Sequence, residues 1–134
     1  MPKVADVMTK RVVTMRNDAT LAEALTHLAT QHISGAAVTD HRQRLVGVIS
    51  RSDIMEAEAE ITEPEVRGRF LDETLVSEVM TSPALTIGPQ VELREAALAM
   101  EYGDVHRLFV EEAGELVGVV SRSDVSRALA TGKV

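Results

Sequence analysis

The sequence has no cysteine and no tryptophan, and aromatic residues make up 2% of it. Without cysteine there is no disulfide framework, and no thiolate can serve as nucleophile or metal ligand. With so few rings, a planar ligand would meet mostly Val, Ile, Leu, Ala and Met. Basic residues are outnumbered, with 14 Lys and Arg against 21 Asp and Glu, for a net charge of −7. That balance argues against a general nucleic-acid binder. No apolar run approaches the length needed to span a bilayer. The stretch from Met1 to Asp6 has no apolar signal core. A soluble cytoplasmic protein is expected. His27, His32 and His41 show no mutual spacing typical of a metal site. No Ser/His/Asp triad, glycine-rich phosphate loop or zinc motif is visible, so neither an enzyme nor a metal protein is expected.

What the chain does have is a statement made twice. Gly47-Val48-Ile49-Ser50-Arg51-Ser52-Asp53-Ile54 returns as Gly118-Val119-Val120-Ser121-Arg122-Ser123-Asp124-Val125. Upstream of each copy is a matching lead, Val4-Ala5-Asp6-Val7-Met8-Thr9 and Val76-Ser77-Glu78-Val79-Met80-Thr81. Two copies of one supersecondary unit imply a module with internal twofold character and a seam between its halves. A unit of roughly 60 residues buries too little surface to be stable alone, so the copies should share a core. The expected boundaries are 1–60 for the first motif, 61–75 for a linker and 76–134 for the second motif.

Each copy reads as strand, helix, strand, strand, helix. In the first, Val12-Val13-Thr14-Met15 is β-like, and Thr20 with Glu23 forms a capping box before a helix faced by Leu21, Ala24, Leu25 and Leu28. Ala36 to Thr39 and Leu45 to Ile49 are short apolar runs joined by a polar hairpin turn. A helical pattern resumes at Ser50. In the second copy the same places fall to Ala84-Leu85-Thr86-Ile87, to a helix faced by Leu93, Ala96, Ala97 and Met100, and to Leu108-Phe109-Val110 and Leu116 to Val120. A turn at Ala113-Gly114 joins the last two, and a closing helix stops at Gly132. The copies align at a shift of 72 before the hairpin and 71 after it, so the second turn is one residue shorter. Between the copies, Glu56 to Thr74 reads as a solvated acidic helix face and linker. There Ile61, Val66, Phe70 and Leu71 are available to cover apolar surface or meet a second subunit. Met8, Met15, Met80 and Met100 read as core filler.

Ser50-x-x-Asp53 and Ser121-x-x-Asp124 each sit where a buried strand hands over to a helix. The pattern has two readings. A helix N-terminus offers N–H groups and partial positive charge to a phosphate, the hydroxyl adds a donor, and the carboxylate can accept from two ribose hydroxyls. The same spacing also fits an ordinary capping box. Both can hold at once. His106-Arg107, just before an apolar strand, places positive charge where an acidic protein would need it to hold a phosphate. Arg51, Arg122, Lys10 and Arg11 are further candidates.

The ordered set resembles the CBS (cystathionine-β-synthase) domain, taken twice. The residues that carry the likeness are the Val-Met-Thr leads, Thr20-Leu21-x-Glu23-Ala24, Ile33-Ser34-Gly35-x-x-Val38, Val105-His106-Arg107-Leu108-x-Val110 and both Gly-hydrophobic-hydrophobic-Ser-x-x-Asp motifs. It extends from about Val4 to Leu129, and the chain is similar to a stand-alone CBS pair, or Bateman module. The resemblance implies an α/β (α+β) fold of two β-α-β-β-α units about a pseudo-twofold axis. It also implies two clefts for adenosine compounds such as AMP, ADP, ATP or S-adenosylmethionine, a homodimer, and a non-catalytic regulatory role on an effector protein. It assigns one cleft Ser50, Ser52, Asp53, Thr81, Leu85, Val105, His106 and Arg107. The other takes Ser121, Ser123, Asp124, Thr9, Val13, Ile33, Ser34, Gly35 and Ala36. The two sites are expected to differ, since Ser34-Gly35 stands where the second copy has His106-Arg107. No cofactor is implied beyond the ligand itself. The alternative is a structural dimerisation module whose sites are vestigial. Ala37 and Phe109 occupy places where many members carry proline.

Overall fold

The computed structural model describes residues 2–131. Its elements run α1 (Val4–Val7), β1 (Thr14–Arg16), α2 (Leu21–Thr30), β2 (Gly35–Thr39), β3 (Leu45–Ser50), α3 (Arg51–Ala59) and α4 (Pro64–Glu73). They continue with α5 (Val76–Val79), β4 (Thr86–Ile87), α6 (Leu93–Gly103), β5 (Arg107–Glu112), β6 (Glu115–Ser121) and α7 (Arg122–Ala130). Gly132, read as a helix stop, lies outside the described residues.

The strands form two mixed three-stranded sheets, ordered β1-β2-β3 and β4-β5-β6. In each, the first strand pairs parallel with the second and the second pairs antiparallel with the third. The chain divides into two compact units, one of residues 13–84 and one of residues 1–12 with 85–134.

In the unit of residues 13–84, Met15, Leu21, Ala24, Val38, Ile49, Ile54 and Val76 make the core. Thr20 caps α2 as its sequence demands: its Oγ1 accepts from the Glu23 N–H at 3.1 Å, while Oε1 of Glu23 accepts from the Thr20 N–H at 3.1 Å. Between the repeats lies a real helix, α4, opened by Pro64 at its first turn, where a missing N–H costs nothing. Phe70 and Leu71 of α4 pack against this core. Their neighbours Glu63, Glu65 and Arg67 are exposed.

The other unit repeats the arrangement with Val4, Leu93, Ala96, Met100, Leu108, Val110, Val120, Val125 and Ala128 as its core. Leu21 and Leu93 hold matching places and are both fully buried, each contributing about 1.5–3 kcal/mol. The leads are short helical turns, α1 and α5. Val4 lies in the core with the second copy's elements, and Val76 in the core with the first copy's.

The early strands are shorter and later than their apolar runs suggest. β1 excludes Val12 and Val13 and takes in Arg16, and β4 excludes Ala84 and Leu85. Their extent follows from parallel pairing, Thr14–Arg16 on Ala37–Thr39 and Thr86–Ile87 on Phe109–Val110. The backbone N–H of Ala37 still reaches the Val13 carbonyl at 3.3 Å, and that of Phe109 the Leu85 carbonyl at 3.3 Å.

Candidate functional site

Each third strand runs straight into its closing helix, and the turnover residue is the serine of the repeated motif. Ser50 is extended (φ −124°, ψ 160°) and caps α3; Ser121 is extended (φ −110°, ψ 165°) and caps α7. The hydroxyl of Ser50 accepts from the Asp53 N–H at 3.1 Å, and Oδ2 of Asp53 accepts from the Ser50 N–H at 3.0 Å. At Ser121 and Asp124 the same pair of bonds measures 3.1 and 2.8 Å. Both motifs are therefore complete capping boxes, whatever else they do. In α7 the second oxygen of Asp124 also meets Nη1 of Arg127 at 3.4 Å. Ser52 and Ser123 are exposed in the first turns of their helices.

The leads approach these strands closely. Thr9 and Val119 exchange backbone hydrogen bonds of 2.8 and 2.9 Å, and Thr81 and Val48 exchange two of 2.9 Å. The glycine before each valine makes this possible. A Cβ on Gly118 would lie 2.7 Å from Sδ of Met8 and 3.0 Å from the Thr9 carbonyl oxygen. One on Gly47 would lie 2.7 Å from the Thr81 carbonyl oxygen and 2.9 Å from Sδ of Met80. Gly47 and Gly118 thus seat Thr81 and Thr9 against the strand that ends in the motif serine. Sequence reasoning placed no role on them, although their recurrence at the head of both motifs was the available signal.

The second strands bring up the rest. In the β5–β6 ladder Arg107 is directly opposite Ser121; in the β2–β3 ladder the same position is Gly35 opposite Ser50. The carbonyl of His106 accepts from the Arg122 N–H at 2.9 Å, and the carbonyl of Ser34 accepts from the Arg51 N–H at 2.8 Å. Thr9, His106, Arg107, Val119, Ser121, Arg122, Ser123 and Asp124 line one open pocket of about 320 Å³. That is near the lower end for a small-molecule site. Its lining sets a helix N-terminus, Arg107 and His106, which suit an anion, beside the Asp124 carboxylate, which already accepts from the Ser121 N–H.

The basic pair, assigned by resemblance to the Ser50 set, lies in the Ser121 pocket with Thr9 and Asp124. Ser50, Asp53, Thr81, Ser34 and Gly35 gather in the other unit. Ala36 is buried there and Ile33 half-buried, and Val13 belongs to the same unit. In the pocket's own unit, Val105 is half-buried and Leu85 is exposed, its side chain 2.8 Å from where a Cβ on Gly103 would sit. Arg122, offered as a phosphate candidate, directs Nε to the Val105 carbonyl at 3.0 Å and Nη2 to the Met100 carbonyl at 3.4 Å. It ties the loop ahead of β5 to the pocket rim. Phe109 is buried. Among the described residues no cluster of His, Asp or Glu could hold a metal ion, and no helix is long and apolar enough to cross a membrane.

Comparison with known proteins gives the same architecture a family. The CBS domain matches residues 4–60 and again 76–131. Inosine-5'-monophosphate dehydrogenase of Methanocaldococcus jannaschii is 30% identical over 124 residues, covering 92% of this chain and 23% of that enzyme. The chain spans less than half the length of the first curated relatives it matches. CBSX2 of Arabidopsis thaliana, solved in complex with AMP, is 27% identical, covers all of both chains and superposes with a TM-score of 0.82. The CBS domain pair of protein MJ0100, solved with 5'-methylthioadenosine and S-adenosyl-L-methionine, is 25% identical with a TM-score of 0.79 and covers 98% of both chains.

Proposed function

Because the chain belongs to the CBS domain family and carries the domain twice, we propose that it is a regulatory module that binds an adenosine nucleotide (AMP, ADP or ATP) and signals to an effector protein. We take the motifs to run over 1–60 and 76–134, joined by 61–75. The observation that carries the reading is the pocket at the head of α7, where a helix N-terminus and Arg107 can receive phosphate while Asp124 stands within reach of a ribose. The AMP-bound relative supports the adenosine class. A module of this kind needs no catalytic group and acts by differential affinity, because a ligand that binds two arrangements equally shifts nothing. It works in the cytoplasm as a homodimer. Exposed Leu98, Tyr102 and Leu129 supply apolar surface for a second copy.

The test is calorimetric titration with AMP, ADP, ATP and S-adenosylmethionine, on protein verified free of carried-over ligand. Saturable binding lost on Asp124→Ala or Asp53→Ala supports the reading. Silence towards all four overturns it. S-adenosylmethionine alone giving heat would move the assignment to that ligand, which the MJ0100 pair favours. A structural module with vestigial sites is the second reading. It is favoured by the capping boxes, in which both serines and both aspartates already have backbone partners.

A further inference from the structure

The helix pair α6 and α7 presents a face that the matching pair α2 and α3 does not. On α6, Arg94, Ala97, Leu98, Glu101 and Tyr102 recur at the spacing of one helix face. The first four line an open groove of about 280 Å³ together with Val125 and Leu129 of α7. Leu98 and Leu129 are left exposed, and the chain's single tyrosine, one turn on from Leu98, is 89% exposed. Arg94 and Glu101 stand two turns apart on the stripe, about 10 Å along the helix axis. Both are exposed, and neither joins an ion pair among the described residues. In the first copy the places of Arg94, Leu98, Glu101 and Tyr102 fall to Ala22, Thr26, Ala29 and Thr30, and that of Leu129 to Glu58. Small, polar or acidic, these supply neither an exposed leucine nor a charge pair. Met55, in the place of Ser126, is the one large apolar side chain that α2 and α3 leave exposed among the described residues.

We infer that this groove seats a second copy of the chain, second motif on second motif, with α6 antiparallel to the partner's α6 across a twofold axis between Ala97 and Leu98. The charges argue for this occupant. A twofold axis at that point carries Arg94 of each protomer onto the partner's Glu101, so one pair of residues makes two ion pairs. The apolar stripe matches its own image in the same way, with Leu98 entering the partner's groove over Ala97 and beside Val125 and Leu129. Burial of that stripe drives association, while the charge pairs fix its register. Tyr102 covers the edge of the contact, a place that suits a ring with one polar end. The first motif, with Thr26, Thr30 and Glu58 at these positions, makes no such contact with itself. This dimer rests on the homodimer reading above and deepens it, naming the face and the orientation.

The experiment follows the dimer of the intact protein by sedimentation equilibrium, with circular dichroism to show that each variant is folded. Leu98→Asp should shift the protein to monomer. Arg94→Glu and Glu101→Arg should each weaken the dimer by roughly tenfold, because each sets like charges together at two places. Combined in one chain, the two reversals should restore it to within about twofold or threefold of the wild type. The chain has no cysteine, so a single introduced one reports on proximity. Leu98→Cys should be joined to its partner by a short bismaleimide, and Thr26→Cys, at the matching place in the first copy, should not. A dimer indifferent to Leu98→Asp, a charge swap that fails to restore what the single reversals lose, or crosslinking through Thr26→Cys and not Leu98→Cys would each overturn the inference while leaving the homodimer reading intact. A monomeric wild type would overturn both, and the AMP titration would still decide the nucleotide reading by itself.

Discussion

Arg107 and Ser121 stand directly opposite each other across the β5–β6 ladder. The pairing depends on a bulge. From the tight turn, Glu112 pairs with Glu115 and Glu111 with Leu116, and then the register shifts between Val110 and Glu111. Without the shift Arg107 would face Val120, and its side chain would be offset from the helix N-terminus. The β2–β3 ladder carries the same irregularity between Val38 and Thr39, which sets Gly35 against Ser50. Bulges of this kind re-aim a side chain at the end of a strand. Here the device is identical in both copies, and only the residue it aims differs.

The capping boxes give a first prediction. Ser50→Ala and Ser121→Ala should each cost about 1 kcal/mol of stability, because each removes the oxygen that satisfies a helix N–H. Urea denaturation of both variants checks this. If the hydroxyl of Ser121 also meets a phosphate, Ser121→Ala should lose AMP affinity as well as stability.

The three glycines that crowd or clear their surroundings give a second. Gly47→Ala should destabilise by about 1–3 kcal/mol, since the added carbon meets a backbone oxygen that cannot swing aside. Gly118→Ala should cost less, because its nearest contact is the flexible end of Met8 and the Thr9 carbonyl is farther off, at 3.0 Å. Gly68 lies within α4 with nothing inside 4 Å of its would-be Cβ. Gly68→Ala should therefore stabilise by about 0.5–1 kcal/mol. Thermal melts of the three variants should rank in that order.

Much of this was legible in the sequence. Thr20 with Glu23, the heptad-like faces of α2 and α6, and the Ala113-Gly114 turn follow from local chemistry alone. The mixed sheet of each copy follows from the repeat and from the family resemblance. What was not legible depends on pairing between distant residues. The two- and three-residue strands β1 and β4 are too short to declare themselves, and their limits are set by β2 and β5. The grouping of His106 and Arg107 with Ser121 follows from the antiparallel register and its bulge, neither of which a strand's own residues reveal. The leads do not show that Val4 belongs in a core with Leu93, or Val76 in a core with Leu21.

Asp40 supplies a third prediction, on acid sensitivity. Its Oδ1 accepts from the backbone N–H groups of Arg44 at 3.0 Å and Arg42 at 2.8 Å, closing the β2–β3 turn. The Arg44 bond is the main cause that holds its carboxyl below the ordinary aspartate value, opposed by desolvation and helped by the Arg42 bond and by the charges of His41 and Arg44. A carboxylate lowered on folding stabilises the native state above its unfolded value, and that contribution is lost as pH falls through the lowered folded value. The Asp40 carboxyl should titrate below a free aspartate by NMR. Asp40→Asn should lessen the loss of stability on acidification in that window.

The shorter second turn gives the last prediction. Ala113 and Gly114 both have positive φ, 53° and 83°, and they connect Glu112 to Glu115, a two-residue hairpin of the type I′ form. Glycine takes this conformation without strain, whereas an alanine held there costs roughly 1–2 kcal/mol. Asparagine tolerates the left-handed region better than alanine, and Asn-Gly is the preferred pair for this turn. Ala113→Asn should therefore raise stability by up to about 1 kcal/mol, with no change in the register of β5 on β6. Ala113→Val, whose branched side chain suits the left-handed region least, should lower it. The turn lies at the far end of the ladder from Arg107 and Ser121, so AMP affinity should be the same in all three proteins. A stability order of Asn above Ala above Val, read by urea denaturation, supports the strained turn, and Ala113→Asn falling below wild type would refute it.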